Sequence, residues 1–367
     1  MDLQQIKDIE KINTTPFMFV LNTTGCGMGF INNYMSVPGA SGTVISMNVP
    51  YHRSVIEQML GSIPSKFVSQ ETANALATHA FAQSIKSHNK EHCIGIGVTG
   101  SLCTDNERPN RSHDVFITIQ LLHATYTKYV DLNLLDLDGL DVQEKRIRQE
   151  EEICDAILEL LYVAIFPSYV TSMTYDSVNI NSLKHGEAES GVFFKDGIAA
   201  IYPGSWNPFH DGHDIIYNMA EHVLSKAFDM KITPVLELTV FNVDKGVINH
   251  MDIAKRVKAL KYPYYITYES TFVDKTIQLR KTLHHTTTIV FIVGSDTWNR
   301  IIDPKYAGDV DFLYLFFGDN NVRFLVSGRD GCPIDKSTKL EELRFQSNLM
   351  ENLNLSHSSS EIRQLNS

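Results

Sequence analysis

The chain has 367 residues, a formal net charge of −11 and five cysteines, with 43% hydrophobic and 20% charged residues. Its length suits two domains, each large enough to bury its own core, and its acidity argues against wide contact with nucleic acid. Five scattered cysteines, odd in number and without metal-ligand spacing, speak against a disulfide framework and for a reducing compartment. No apolar segment follows a basic N-terminal region and no apolar run is long enough for a bilayer. A soluble protein of the cytoplasm or nucleus, without membrane contact, is therefore expected.

The first strong periodicity is Ile153, Ile157, Leu160 and Leu161, the inward stripe of a helix, with Glu150, Glu151 and Glu152 on a solvated face. Between Ser172 and Gly197, Asn, Ser, Gly and Glu gather without sustained apolar periodicity. This predicts a domain at 1–171, a linker at 172–196 and a second domain at 197–367. The second domain opens on Gly197–Tyr202, a short buried strand, and a turn of Pro203, Gly204, Ser205, Trp206, Asn207, Pro208 and Phe209 follows. After His210-Asp211-Gly212-His213, the residues Ile215, Ile216, Met219, Ala220, Val223 and Leu224 repeat at helical spacing. Further strands are predicted near 235–241, 288–293, 311–317 and 322–327, with Arg256 in a helix between the first two. Alternating strands and helices imply an α/β chain whose second domain is Rossmann-like, with a parallel sheet.

Two histidines three apart, between a strand's C-terminal end and a helix N-terminus, lie where an α/β sheet binds phosphate. The chemistry that suits them is nucleotidyl transfer, in which an acceptor attacks the α-phosphorus of a nucleoside triphosphate and pyrophosphate leaves. Positioning and charge stabilisation do most of that work, without a covalent nucleophile. Gly204 and Gly212 let backbone approach phosphate, and His210 and His213 donate to oxygens that gain charge. No Cys or His cluster at ligand spacing accompanies them, so no protein-bound metal is expected. Near the C-terminus, Ser358-Ser359-Ser360-Glu361-Ile362-Arg363 reads as a helix start. It is either an ordinary capping box or, with Arg363 one turn in, a triphosphate grip.

The run Gly-Ser-Trp-Asn-Pro-Phe-His-Asp-Gly-His resembles the Gly-x-Phe-x-Pro-x-His-x-Gly-His signature of the cytidylyltransferase-like superfamily, with Trp206 at the usual Phe. His357 to Arg363 is similar to that superfamily's second signature, Ile-Ser-Ser-Thr-x-Ile-Arg, with Ser360 at its threonine. Asn242-Val243-Asp244-Lys245 resembles the lysine loop of nicotinate- and nicotinamide-mononucleotide adenylyltransferases, and Gly294-Ser295-Asp296 resembles their adenosine-side turn. The resemblance implies His210, His213 and Arg363 as catalytic residues. It implies Gly204, Ser205, Gly212, Lys245, Gly294, Asp296, Ser359 and Ser360 around ATP, with Mg²⁺ carried by the triphosphate. Trp298 reads either as a base-stacking ring or as core.

Over roughly residues 15–165 the chain resembles the CinA C-terminal family, the nicotinamide-mononucleotide deamidases. The resemblance runs through Val37-Pro38-Gly39-Ala40-Ser41, Tyr51, Leu60-Gly61, Val68 to Ala73 and Ile96 to Gly100. An ungapped count puts the family's serine at Thr24 in a divergent loop, while Tyr51 and Thr99 match and its arginine falls on Arg146 or Arg148. That implies a mononucleotide site around Thr24, Tyr51, Thr99 and Arg148, degenerate in its chemistry. Such a domain would serve as a homo-oligomer platform or a mononucleotide sensor. Together the two resemblances imply synthesis of a pyridine dinucleotide from ATP and nicotinamide or nicotinate mononucleotide. The alternatives are a nucleotidyltransferase with another phosphorylated acceptor, and a non-catalytic nucleotide-binding regulator.

Overall fold

The computed structural model describes residues 1–105, 112–169, 173–179, 197–242, 246–303 and 309–353. The chain divides into two compact units, one of Met1–Asn179 with Gly246–Met251, the other of Ile180–Lys245 with Asp252–Ser367. Among the described residues no helix is long and apolar enough to cross a membrane.

In the first unit α1 (Leu3–Asn13) starts on a capping box, Asp2 with Gln5. Strands β1 (Met18–Thr24), β2 (Val44–Asn48) and β3 (Cys93–Gly100) are parallel. β4 (Asp114–Gln120), β5 (Ala124–Asp131) and β6 (Asp176–Asn179) extend the sheet antiparallel, in the order β2-β1-β3-β4-β5-β6. Helices α2 (Met28–Met35), α3 (Arg53–Leu60), α4 (Gln70–Ser84) and α5 (Val142–Ile165) complete it. Helix α4 lies directly on β3. A Cβ at Gly95 would sit 2.1 Å from the Ala77 carbonyl oxygen, and one at Gly97 2.2 Å from that of Ala73. Only glycine in the strand, against alanines in the helix, permits this approach. The α5 stripe of Ile153, Ile157, Leu160 and Leu161 is fully buried, as its spacing predicts.

Two features differ from the expected organisation. β6 pairs with β5 inside the stretch read as linker, starting at Asp176. Gly246–Met251 belongs to the first unit, because its polar groups find their partners there. Asn249 Nδ2 donates to Gln120 Oε1 at 3.3 Å, and His250 Nδ1 lies 3.1 Å from Thr125 Oγ1. Burial keeps His250 neutral, with its pKa lowered to about 3.

The second unit is a parallel sheet of β7 (Ile198–Gly204), β8 (Val235–Thr239), β9 (Tyr264–Thr267), β10 (Thr288–Gly294), β11 (Val322–Ser327) and β12 (Arg344–Phe345). Its order is β9-β8-β7-β10-β11-β12. Counted from β7 this is 3-2-1-4-5-6, the doubly wound order, whose switch point falls between β7 and β10. The crossovers include α6 (Asp211–Phe228), α7 (His250–Lys258), α8 (Phe272–Arg280), α9 (Ser295–Ile302) and α10 (Val310–Asp319). α11 (Asn348–Glu351) follows β12.

The strand predicted near 311–317 is the helix α10, which corrects the sequence reading. Its aromatic run looks strand-like, but Asp309 caps the N–H groups of Asp311 and Phe312. Burial then follows helical spacing, with Leu313 and Phe317 inside and Phe312 and Leu315 exposed. β9 and β12 were missed because four and two residues carry too little alternation to register.

Candidate functional site

β7 ends at Gly204, and α6 begins with His210 as its N-cap in extended conformation (φ −143°, ψ 171°). The connecting turn folds back on the sheet. Trp206, with positive φ (46°), is 2% exposed, and its Nε1 donates to the Glu237 carbonyl oxygen at 3.1 Å. The indole lies 4.8 Å from the Tyr202 ring and 5.0 Å edge-on to the His213 ring, which also meets Phe209 at 5.3 Å. A Cβ at Gly204 would strike the indole at 2.5 Å. Glycine is thus required there by the chain's own tryptophan, a reason different from the phosphate approach expected of it.

The His210 and His213 rings stack with centroids 3.7 Å apart and planes 26° from parallel. The His210 backbone N–H donates to His213 Nδ1 at 3.3 Å. That bond places the proton of the neutral His213 ring on Nε2. Burial, then the charges of His210 and Arg329, lower its pKa to about 3. His213 is therefore a neutral donor at any ordinary pH, held by aromatic packing at a helix N-terminus.

Across the switch point, β10 ends at Gly294 and α9 starts at Ser295. Asp296, about half exposed, pairs with Arg329 at 3.6 Å. Arg329 stands two residues past β11, and the sequence reading missed it. Its signal was its place just beyond a strand end on the sheet's C-terminal edge. Arg256 of α7 donates from Nη1 to the Ser205 carbonyl oxygen at 3.0 Å, tying the turn after β7. Trp298 is core, fully buried, with Nε1 donating to the Asp335 carbonyl oxygen at 2.8 Å. The structure therefore gathers Gly204, Ser205, His210, Gly212 and His213 at the turn after β7 and Gly294 and Asp296 after β10, both at the C-terminal edge of the sheet. Lys245, Ser359, Ser360 and Arg363 lie outside the described residues.

In the first unit, Thr24 ends β1 and pairs in register with Thr99 of β3. The Thr99 hydroxyl donates to the Phe67 carbonyl oxygen at 2.8 Å. Tyr51 is 67% exposed, and Arg148 is a surface residue paired with Glu151 at 2.8 Å. Arg146 instead turns inward, donating to the Cys103 carbonyl oxygen at 2.7 Å. The loop after Thr24 makes a backbone nest, with Gly25 and Gly27 at φ 81° and 78° opening α2. That nest is filled from within. The Glu150 carboxylate accepts from Gly27 N–H at 3.0 Å to each oxygen and from Gly29 N–H at 3.3 Å. Cys26 is buried, and burial, followed by Glu150 and Cys154, raises its pKa well above the ordinary thiol value, so it stays a thiol.

Burial also raises Glu150, while the Gly29 and Gly27 N–H bonds oppose it. An acid raised in the folded state adds stability below its ordinary pKa near 4.5, and loses that contribution as pH climbs through the folded value. Glu150→Gln is therefore expected to flatten the fall in stability above that pH, measured by urea denaturation across a pH series.

Among the described residues no three His, Cys, Asp or Glu side chains gather as a metal site. No protein-family model matches the chain, and no curated protein is significantly similar to it in sequence. Solved structures do show likeness. The competence/damage inducible protein CihA from Agrobacterium tumefaciens is 17% identical, spanning 44% of this chain and 99% of its own, with a TM-score of 0.32. A competence or damage-inducible protein from Enterobacter asburiae is 14% identical, spanning 43% and 96%, with a TM-score of 0.34. A CinA superfamily protein from Escherichia coli is 10% identical, spanning 45% and 92%, with a TM-score of 0.32.

Proposed function

We propose that the second unit is an adenylyltransferase joining ATP to nicotinamide or nicotinate mononucleotide. The observation that carries this reading is the stacked His210–His213 pair, with His213 neutral, at the N-terminus of α6, beside the switch point of a doubly wound sheet. A phosphate oxygen of the mononucleotide attacks the α-phosphorus of ATP. The bond from that phosphorus to the bridging oxygen breaks, and pyrophosphate leaves with the electron pair. His213 Nε2–H and the α6 N-terminus stabilise the oxygens of the transferring phosphate as charge develops. Arg329 and Asp296 fit the nucleotide side. Mg²⁺ arrives on the triphosphate as part of the substrate.

The pyridine acceptor rests on the sequence resemblance. In the first unit we propose a non-catalytic domain, supported by the nest that Glu150 already fills.

The test is a screen of ATP and CTP against both pyridine mononucleotides and phosphorylated alcohols, read by pyrophosphate release. Release that requires ATP and a pyridine mononucleotide is the expected result. Release only with CTP and a phosphorylated alcohol would replace the acceptor, and ATP binding with no release anywhere would make the protein a regulator. Ammonia formed from nicotinamide mononucleotide, and lost in Thr24→Ala, would restore a deamidase to the first unit.

A further inference from the structure

The first unit holds a cleft of about 330 Å³ lined by Asn48, Met59, His79, Ala82, Gln83 and Lys86. Four of these residues, at 79, 82, 83 and 86, follow the i, i+3, i+4, i+7 spacing of one helical face, from α4 past its C-terminal end. Beneath the cleft runs a relay of side chains. Asn48 Nδ2 donates to Asn22 Oδ1 at 3.0 Å and to Ser46 Oγ at 3.3 Å. Asn22 is fully buried, and its Nδ2 donates to the Leu76 carbonyl oxygen at 3.1 Å and to His79 Nδ1 at 3.2 Å.

The orientation of Asn22 follows from its neighbours, since a flipped amide would set its oxygen against a carbonyl and its nitrogen against another amide nitrogen. His79 Nδ1 must then accept, so the neutral ring carries its proton on Nε2. Burial and the nearby Lys86 charge lower the His79 pKa, which keeps the ring neutral. Asn48 has committed its Nδ2 and has Oδ1 left to offer. The lining therefore supplies a fixed imidazole donor, an ammonium, an adaptable amide and one amide acceptor. Met59 and Ala82 add apolar surface, and no Asp or Glu lines the cleft. Asn22 is the fully buried member of this relay, and its amide fixes the tautomer of the half-buried His79 ring.

We propose that this cleft binds a small hydroxylated oxyanion, of the sugar-phosphate or sugar-acid class. The anionic group meets Lys86 and His79 Nε2–H, and a neighbouring hydroxyl donates to Asn48 Oδ1. The α4 carbonyl end lies close by and opposes anions, so Lys86 carries the charge complementarity. The site is independent of the transferase reading.

The test is calorimetric titration of the full chain with ribose 5-phosphate, gluconate and, as an uncharged control, ribose. Ribose 5-phosphate or gluconate is expected to bind with Kd at or below about 1 mM, and which of the two binds separates phosphate from carboxylate. Lys86→Met and His79→Gln should each weaken that binding at least about tenfold. His213→Ala should leave it unchanged, which separates this cleft from any phosphate site in the second unit. Lys86 is exposed, so its variant remains informative even where His79→Gln disturbs the relay. No binding of either anion at about 10 mM, equal affinity for ribose, or Lys86→Met binding like the wild type would each overturn the proposal.

Discussion

His213→Ala is expected to lower kcat by about 10²- to 10³-fold, the cost of removing one donor to developing charge, while KM for ATP changes little. The reasoning is geometric. His213 Nδ1 already accepts from the His210 backbone, and its ring is fixed between Trp206 and Phe209, so the Nε2 proton is held in place before substrate arrives. A donor positioned in advance contributes most where charge appears in the transition state, which is why kcat rather than ATP affinity carries the loss. The pKa of about 3 adds a second expectation. An ordinary histidine would impose a pH break near its own pKa, whereas His213 should impose none between about pH 5 and 8. Steady-state pyrophosphate release over a pH series checks both, and near-normal turnover in the variant would remove His213 from the mechanism.

Lys275→Met is expected to destabilise the second unit by about 3–5 kcal/mol. Lys275 Nζ pairs with Glu237 Oε1 and donates to the Glu269 carbonyl oxygen at 2.8 Å. Both side chains are buried, at 5% and 0% exposure. Burial pushes the Glu237 carboxyl up, and the lysine charge opposes it. Deleting the lysine leaves a carboxylate in the interior without its counter-ion, and that desolvated charge sets the cost. Replacing both residues, Glu237→Met with Lys275→Met, removes the charge as well as its partner. The double variant is expected to recover most of the loss and to reach at least wild-type stability if the methionines pack well. Urea denaturation of the two variants distinguishes these outcomes. A single variant as stable as the wild type would mean that Glu237 takes up a proton, or meets solvent, at little cost.

Much of the second unit was legible because its signals are local. Ile198–Tyr202 and Thr288–Val293 are short unbroken apolar runs, and an α/β chain buries its central strands on both faces. The histidine pair announced a strand-to-helix turn through its neighbours rather than through its own spacing. Where the local signal was ambiguous, the reading failed. The run from Phe312 to Phe317 has strand-like composition, and its fate depended on an Asp309 cap and on which face found a core. Arg329 and Glu150 were harder still. Arg329 matters because β11 ends near a turn more than a hundred residues earlier in sequence. Glu150 looked like one of three solvated acids, yet it is the residue that closes the loop after Thr24.

Sequence alone determined that the chain is α/β, that it changes character before Gly197, and that a strand-to-helix turn bearing two histidines follows the first strand of the second unit. These depend on residue type and near-neighbour spacing, which backbone geometry reads directly. Tertiary structure decided the charge state of His213, the partner of Asp296 and the filling of the nest at Gly27. Each depends on desolvation or on contact between residues far apart in the chain, and neither is set until the sheet orders its strands.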